Sequence, residues 1–324
     1  MKAAVYIRYG PPEVVQITDV EKPVPNDNEV VIKVRAASVN PLDWHFMRGL
    51  PYFLRLVAGL RAPKDIRLGA DVAGEVEAIG SNVTKFKSGD EVFGTCRGAF
   101  AEYARSSEST LAVKPKNVTF EQAASAPIAG LTALQSLRDK GHIQTGQRVL
   151  INGAAGGVGT FAVQIAKSFG ADVTGVCSTR NVEMVRSMGA DQVIDYTQED
   201  FTQSGLRYDI ILDAVGNHSL SEFRRILNPR GILVMAGAVA GRWMIVALTR
   251  GIRASVVSRF ATQKMVGILA KSQQADLTTL GEFMATGKAT PVIDRRYGLS
   301  EISEAIRHLE AGHAQGKVVI TLSS

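Results

Sequence analysis

QRVLINGAAGGVGTFAVQIAKSF, residues 147–169, decides how the whole chain is read. Its opening apolar run, Val149, Leu150 and Ile151, is too short for a helix and reads as a buried strand. Gly153, Gly156 and Gly159 then fall three apart, with Gly157 among them. After them Val158, Phe161, Ala162, Ile165 and Ala166 recur at helical spacing. A strand, a glycine turn and a helix N-terminus in succession make an anion site. Bare N–H groups and the positive end of the helix dipole face the anion, and missing side chains let it approach. In this setting the expected anion is the pyrophosphate of a dinucleotide, the alternative being a glycine-rich turn kept only for tight packing.

From that turn the pattern extends in both directions as strands alternating with helices, over about 122–275, and predicts a doubly wound parallel sheet. Residues 171–178 read as the second strand, QVIDY as the third, 208–216 as the fourth, ILVMAGA as the fifth and KMVGILA as the sixth. LSEFRRILNPRG reads as a helix stopped by Pro229 and Gly231. Ligands of such sheets lie at the carboxyl ends of the strands. Ser178 to Arg180, Ala214 to Asn217 and the stretch Gly237 to Gly241, with Val239 in it, are therefore expected around the cofactor.

The end of the second strand speaks to which cofactor. An NAD site presents Asp or Glu there for the ribose 2′-hydroxyl. This chain has Cys177, Ser178, Thr179 and Arg180, without a carboxylate. Two hydroxyls and a guanidinium are the donors that a 2′-phosphate wants, so NADPH is expected. Tyr196, after the third strand, packs on the adenine or is a plain core tyrosine.

Residues 1–121 read instead as short β-like runs broken by Gly, Pro and Asn: MKAAVYI, VVQITDV, EKPVPNDNEV, VVIKVRAASVN and the stretch from RLGADVAG to TLAVKPKN. Between them, Phe53, Leu54, Val57 and Leu60 recur helically, with Arg55 and Arg61 off that face. The segment suits a lid over an apolar substrate, an interfacial helix or an ordinary surface helix. Residues 276–324 give a helix ended by Gly287 and Pro291, a second helix with Ser300 as its expected N-cap, and the strand GKVVITL. They are too few for a third domain and are expected to return to the first, so that the chain straddles a cleft.

Bulk properties narrow the class. The 324 residues, 45% hydrophobic and 21% charged, suit two globular domains. No run approaches the roughly 18–20 apolar residues of a membrane span, no leader is visible, and a cytoplasmic protein without stable membrane association is expected. Two cysteines, Cys96 and Cys177, without a CxxC spacing, argue against a disulfide framework or a cysteine zinc lobe. The net charge of +6 is scattered rather than clustered, so nucleic acid is not an expected partner.

The motifs VRAASVNPLDW, LGADVAGEVEAIGSNVTKFKSGDEVFG, AAGGVGTFAVQIAK, GADQVIDY, LDAVG and EAGHAQGKVVIT resemble the medium-chain dehydrogenase/reductase superfamily over essentially the whole chain. The resemblance is to its zinc-independent quinone oxidoreductase (zeta-crystallin-like) branch. It implies α/β architecture with a GroES-like β-rich catalytic domain beside a Rossmann domain, NADPH as cofactor, and a homodimer. It also implies that Gly156, Gly157 and Val158 hold the pyrophosphate, with Ser178, Arg180 and Tyr196 at the adenosine phosphate. Asn40 and Thr132 are implied near the nicotinamide, with Ile268 and Ala270 on its side, and His313, Ala314 and Lys317 returning to the cofactor. Zinc-dependent cousins take ligands from Cys and a Gly-His-Glu motif, and this chain has Asp43, Ala70 and Asp71 at the corresponding places. No metal is therefore expected, and hydride transfer to an activated acceptor, a quinone or an α,β-unsaturated carbonyl, is the expected reaction. Tyr52, His45 and Asp43 are the local candidates for its proton donor. An enoyl-thioester reductase and a redox-inactive NADPH-binding protein are the alternatives.

Overall fold

The computed structural model describes residues 1–236 and 262–322. It divides into two compact units, one of Met1–Leu131 with Lys271–Ser324, the other of Thr132–Ala270.

In the second unit six parallel strands are described: β8 (Arg148–Asn152), β9 (Asp172–Cys177), β10 (Gln192–Asp195), β11 (Tyr208–Asp213), β12 (Leu227–Met235) and β13 (Lys264–Gly267). Their order is β10-β9-β8-β11-β12-β13, so the chain runs outward from β8 in one direction, then crosses back and runs outward in the other. This is the doubly wound order, and its switch point lies beside β8. Leu150, Val176, Ile211, Phe223 and Leu233 form its apolar core, as expected of strands covered on both faces. Helix α5 (Gly157–Ser168) follows β8 directly.

The first unit is antiparallel β for the most part. A seven-stranded sheet contains β3 (Glu29–Val39), β4 (Asp71–Ile79), β5 (Glu91–Thr95), β6 (Tyr103–Ser107), β7 (Leu111–Val113), β14 (Ile293–Gly298) and β15 (Lys317–Thr321). A small pair, β1 (Lys2–Val5) and β2 (Gln16–Asp19), lies apart from it. β15 lies between β14 and β3, with Val318 opposite Val39. Helices α1 (Pro41–Arg48) and α2 (Leu54–Ala58) follow β3, and α3 (Phe120–Ser125) and α4 (Pro127–Gln135) follow β7. Helix α8 (Gln274–Ala285) precedes β14, and α9 (Ile302–Glu310) precedes β15.

Several local expectations are corrected. EKPVPNDNEV contributes only its last two residues to a strand, because Pro23 and Pro25 have no N–H for a ladder. The helix read over LSEFRRILNPRG, α7 (Leu220–Ile226), ends before Pro229, and β12 already begins at Leu227. The proline forces the residue before it into extended backbone, so the chain turns to strand early. The fourth strand stops at Asp213, because its carboxylate draws the N–H groups of Val215 and Gly216 into a turn at 3.2 and 2.9 Å. Glu301, not Ser300, is the N-cap of α9, since a 3-10 turn at Leu299–Glu301 precedes it. The expected cofactor neighbours Gly237 to Gly241, Val239 included, lie outside the described residues.

Candidate functional site

The glycine turn has the geometry its spacing implies. Gly153 sits at φ +87°, where an L side chain is strained, and Gly156 is the N-cap of α5. A Cβ on Gly159 would stand 2.1 Å from the Gly153 carbonyl oxygen and 2.7 Å from the Ala154 Cα. Helix α5 and the turn after β8 therefore touch here through backbone alone. A Cβ on Gly156 would meet only the Gly153 oxygen, at 3.5 Å. Space is open in front of Gly156, where Gly157 and Val158 begin the helix and no side chain caps it. That is an anion cradle of the kind a pyrophosphate fills.

Beside it, Ser178, Thr179 and Arg180 leave the end of β9, and the Tyr196 N–H donates to the Cys177 carbonyl at 3.0 Å. Tyr196 is 58% exposed, which removes the core-tyrosine alternative. One donor counted from the sequence is already in use. The Thr179 hydroxyl donates to Asp195 at 2.6 Å, and the Thr197 hydroxyl and N–H meet the same carboxylate at 2.7 and 2.9 Å. Those hydroxyls, Thr179 foremost, hold the Asp195 carboxyl below its ordinary range. Ser178 accepts from the Asn181 amide at 3.1 Å and keeps its own proton to give. Ala214 donates its N–H to Asn152 at the end of β8, and Ile268 and Ala270 follow the end of β13. All of these stand at the carboxyl ends of the parallel strands.

The first unit holds a second cluster, which sequence reasoning found only in part. Antiparallel register sets Ser38 on β3 directly opposite Asp71 on β4. Asp71 is wholly buried, and its Oδ2 accepts from Ser38 Oγ at 2.7 Å and from Asn40 Nδ2 at 2.9 Å. Its Oδ1 accepts the Ile128 N–H at 3.0 Å, in the first turn of α4. Lys317, at the start of β15 and 3% exposed, donates to Asn40 Oδ1 at 2.6 Å and lies 3.5 Å from Asp71 Oδ2. So the structure joins Asn40 and Lys317 through a residue assigned no role from the sequence. The readable signals were an aspartate opening the apolar strand DVAG and a lysine opening the apolar strand KVVIT.

Asp43 belongs to the same cluster. Its Oδ2 accepts the Asn40 N–H at 2.7 Å, in the first turn of α1. Burial pushes its carboxyl up to about 7, against the hydrogen bond from Asn40, and the Asp71 charge pushes the same way. Burial also lowers the Lys317 ammonium and raises the Cys96 thiol. With Asp43 protonated the two aspartates and one lysine sum to zero, which is what a dry interior favours. A carboxyl raised in the folded state from its ordinary 3.8 adds stability below that value and loses it as pH rises toward about 7. Wild type is therefore expected to lose stability relative to Asp43→Asn between pH 5 and 8, by up to about 2.5 kcal/mol. Urea titrations of both proteins at the two pH values check this, and parallel pH profiles would refute it.

The other acid–base candidates are placed differently. His45 stacks on Trp44 at 3.8 Å and holds the Leu50 carbonyl at 2.9 Å through Nδ1, and burial lowers its pKa. Tyr52 is 68% exposed. It opens a stretch in which Phe53, Leu56, Val57 and Leu60 are also exposed, around the short α2. Arg55 pins the stretch from below, bonding the Gly49 carbonyl at 3.0 Å and lying over the Tyr9 ring. His313 is exposed and Ala314 half-buried in the turn before β15, while Thr132 is half-buried on α4. Among the described residues no group of three or more His, Cys, Asp or Glu is placed to hold a metal, and both cysteines are free. None of the described helices is long and apolar enough to cross a membrane.

Comparison with known proteins agrees with both units. Residues 26–116 match the alcohol dehydrogenase GroES-like domain, and 188–320 the zinc-binding dehydrogenase family. The chloroplast envelope quinone oxidoreductase homolog of Arabidopsis thaliana is 33% identical over 92% of this chain and 91% of its own length. The chain belongs to the quinone oxidoreductase family of medium-chain dehydrogenases/reductases. A second relative in this family, the mitochondrial NAD(P)H oxidoreductase RTN4IP1 of Mus musculus, is 34% identical over 99% of this chain and 89% of its own. The quinone oxidoreductase structure from Coxiella burnetii superposes with a TM-score of 0.88 at 32% identity, covering 100% of this chain and 99% of that one. Membership makes the chain a nicotinamide-linked oxidoreductase.

Proposed function

We propose that the protein is an NADPH-dependent oxidoreductase that reduces a quinone or an α,β-unsaturated carbonyl. The observation that carries this reading is the open cradle at Gly156–Val158, flanked by Ser178, Arg180 and Tyr196. The first N–H groups of α5 would hold the pyrophosphate, and Ser178 and Arg180 would hold the 2′-phosphate. Bound in this way, NADPH supplies the hydride. Asn40, Thr132, Ile268, Ala270, His313, Ala314 and Lys317 are the residues proposed toward its nicotinamide and ribose.

The acceptor takes a hydride at an electrophilic atom and a proton on the oxygen that becomes negative. With Ala70 and Asp71 where the metal-binding motif of the zinc-dependent cousins would fall, an acceptor already activated by conjugation suits the site. The exposed side chains of Phe53, Leu56, Val57 and Leu60 offer it an apolar surface. Tyr52 is the proposed proton donor, since His45 and Asp43 are engaged in internal hydrogen bonds.

NADPH oxidation measured against quinones, enones and enoyl-CoA esters tests the reaction. Turnover with quinones or enones is the expected result. Tight NADPH binding without turnover of any acceptor would sink it, and turnover of the thioesters alone would make the protein an enoyl reductase. For the cofactor, Arg180→Ala is expected to weaken NADPH by about 10- to 100-fold, the size of one charged hydrogen bond, and NADH by less than threefold. Equal losses for the two dinucleotides would refute the role of Arg180.

A further inference from the structure

We propose that Asp71 is a positioning residue for the nicotinamide end of the cofactor: one buried carboxylate sets the Asn40 amide, the Lys317 ammonium and the first turn of α4 in a single arrangement. The inference rests on the NADPH reading above and adds a residue to it. Asn40, Thr132 and Lys317 come from three distant parts of the chain. Two of them contact Asp71 directly, Asn40 at 2.9 Å and Lys317 at 3.5 Å. The third lies one helical turn beyond Ile128, whose N–H bonds Asp71 at 3.0 Å.

The electrostatics make the arrangement unique. Asn40 turns its oxygen to the Lys317 ammonium at 2.6 Å and its NH2 to the Asp71 carboxylate. A flip of that amide would set NH2 against ammonium and oxygen against carboxylate, so two attractions would become two repulsions. The other Asp71 oxygen faces the positive end of α4, which favours an anion there. Ser38 Oγ, opposite on β3, holds the carboxylate from the remaining side. Sheet register, helix start and C-terminal strand therefore meet at one group. A polar group held so firmly on every side keeps its neighbours within the small tolerance that hydride transfer needs.

Asp71→Asn keeps the shape and removes the charge. It leaves the Asn40 amide free to flip and Lys317 without its counterion. The test measures NADPH affinity by fluorescence titration, single-turnover hydride transfer at saturating NADPH, and amide exchange at Ile128. The expected result is at least a fivefold loss of affinity, at least a fivefold slower transfer, and faster exchange at Ile128. A purely structural role would lower the melting temperature but leave both cofactor parameters of the folded protein as they are. Smaller changes than fivefold in both, in folded protein, would overturn the proposal. Should Asp71→Asn not fold, Ser38→Ala removes one donor to the same carboxylate and is expected to weaken affinity and transfer about threefold, and unchanged values would overturn it. Wild-type protein with no affinity for NADPH would instead overturn the cofactor reading beneath it.

Discussion

Gly159→Ala is expected to lower the melting temperature of the second unit by on the order of 10 °C, with cofactor binding lost alongside. The new methyl would stand 2.1 Å from the Gly153 carbonyl oxygen and 2.7 Å from the Ala154 Cα. Both obstacles are backbone, and neither can swing aside as a side chain would. Separating α5 from the turn after β8 costs about 3 kcal/mol or more, the upper end for overpacking, and in a unit this size each kcal/mol is worth roughly 3–4 °C. Gly156→Ala makes the informative contrast. Its methyl meets only one atom, at 3.5 Å, and its φ of −82° suits any residue. Its stability should stay within about 1 kcal/mol of wild type, while its NADPH affinity falls about 10- to 100-fold, because the methyl fills the space in front of the helix N-terminus. Calorimetry and fluorescence titration on the two variants check both halves. A Gly156→Ala protein with wild-type affinity would mean that the anion lies elsewhere.

Lys317→Met should cost about 3–5 kcal/mol, the usual penalty for removing one partner of a buried ion pair. The thioether keeps most of the side-chain length, so the loss reports charge rather than a cavity. What remains is a wholly buried Asp71 carboxylate beside Asp43, with the ammonium gone that both of them face. The penalty should grow above about pH 7, where Asp43 gives up its proton and a second negative charge enters the site. Adding Asp71→Asn to Lys317→Met should recover part of the loss, since the double variant holds no orphaned charge. Urea denaturation of the four proteins at pH 6 and pH 8 gives the coupling directly. A loss under about 1 kcal/mol in the single variant would show that the lysine is not the counterion.

These two sites differ in how far the sequence disclosed them. The glycine turn is local: strand, turn and helix lie within 23 residues, and each glycine has a steric reason visible in its neighbours. The Asp71 cluster is not local. Its bonds join residues 33, 57 and 246 positions apart, and they exist only once β3, β4 and β15 are in register. Asn40, Asp43 and Lys317 stand out through family resemblance, whereas Asp71, which holds the cluster together, stands out in the sequence only as a departure from a metal motif. At the adenosine end the error runs the other way. Thr179 reads as a phosphate donor, but the Asp195 carboxylate 16 residues on accepts its hydroxyl hydrogen bond. A list of donor types overstates what is free to bind, because some donors are already spent within the protein.

The position of β15 also orders the birth of the molecule. The second unit is a continuous stretch of chain, Thr132–Ala270, and every strand described in it pairs with others from the same stretch. The first unit is discontinuous. Its sheet needs Val318 against Val39, and its buried aspartate waits for Lys317. On a ribosome the second unit has all its parts about 2–10 s before the other one does, since 47 residues separate Ala270 from Lys317. Until β15 emerges, the Ala36–Val39 end of β3 presents an unpaired edge and Asp71 lacks its cation. Nascent chains arrested before residue 317 should then contain a protease-resistant second unit and a first unit that is still open to cleavage.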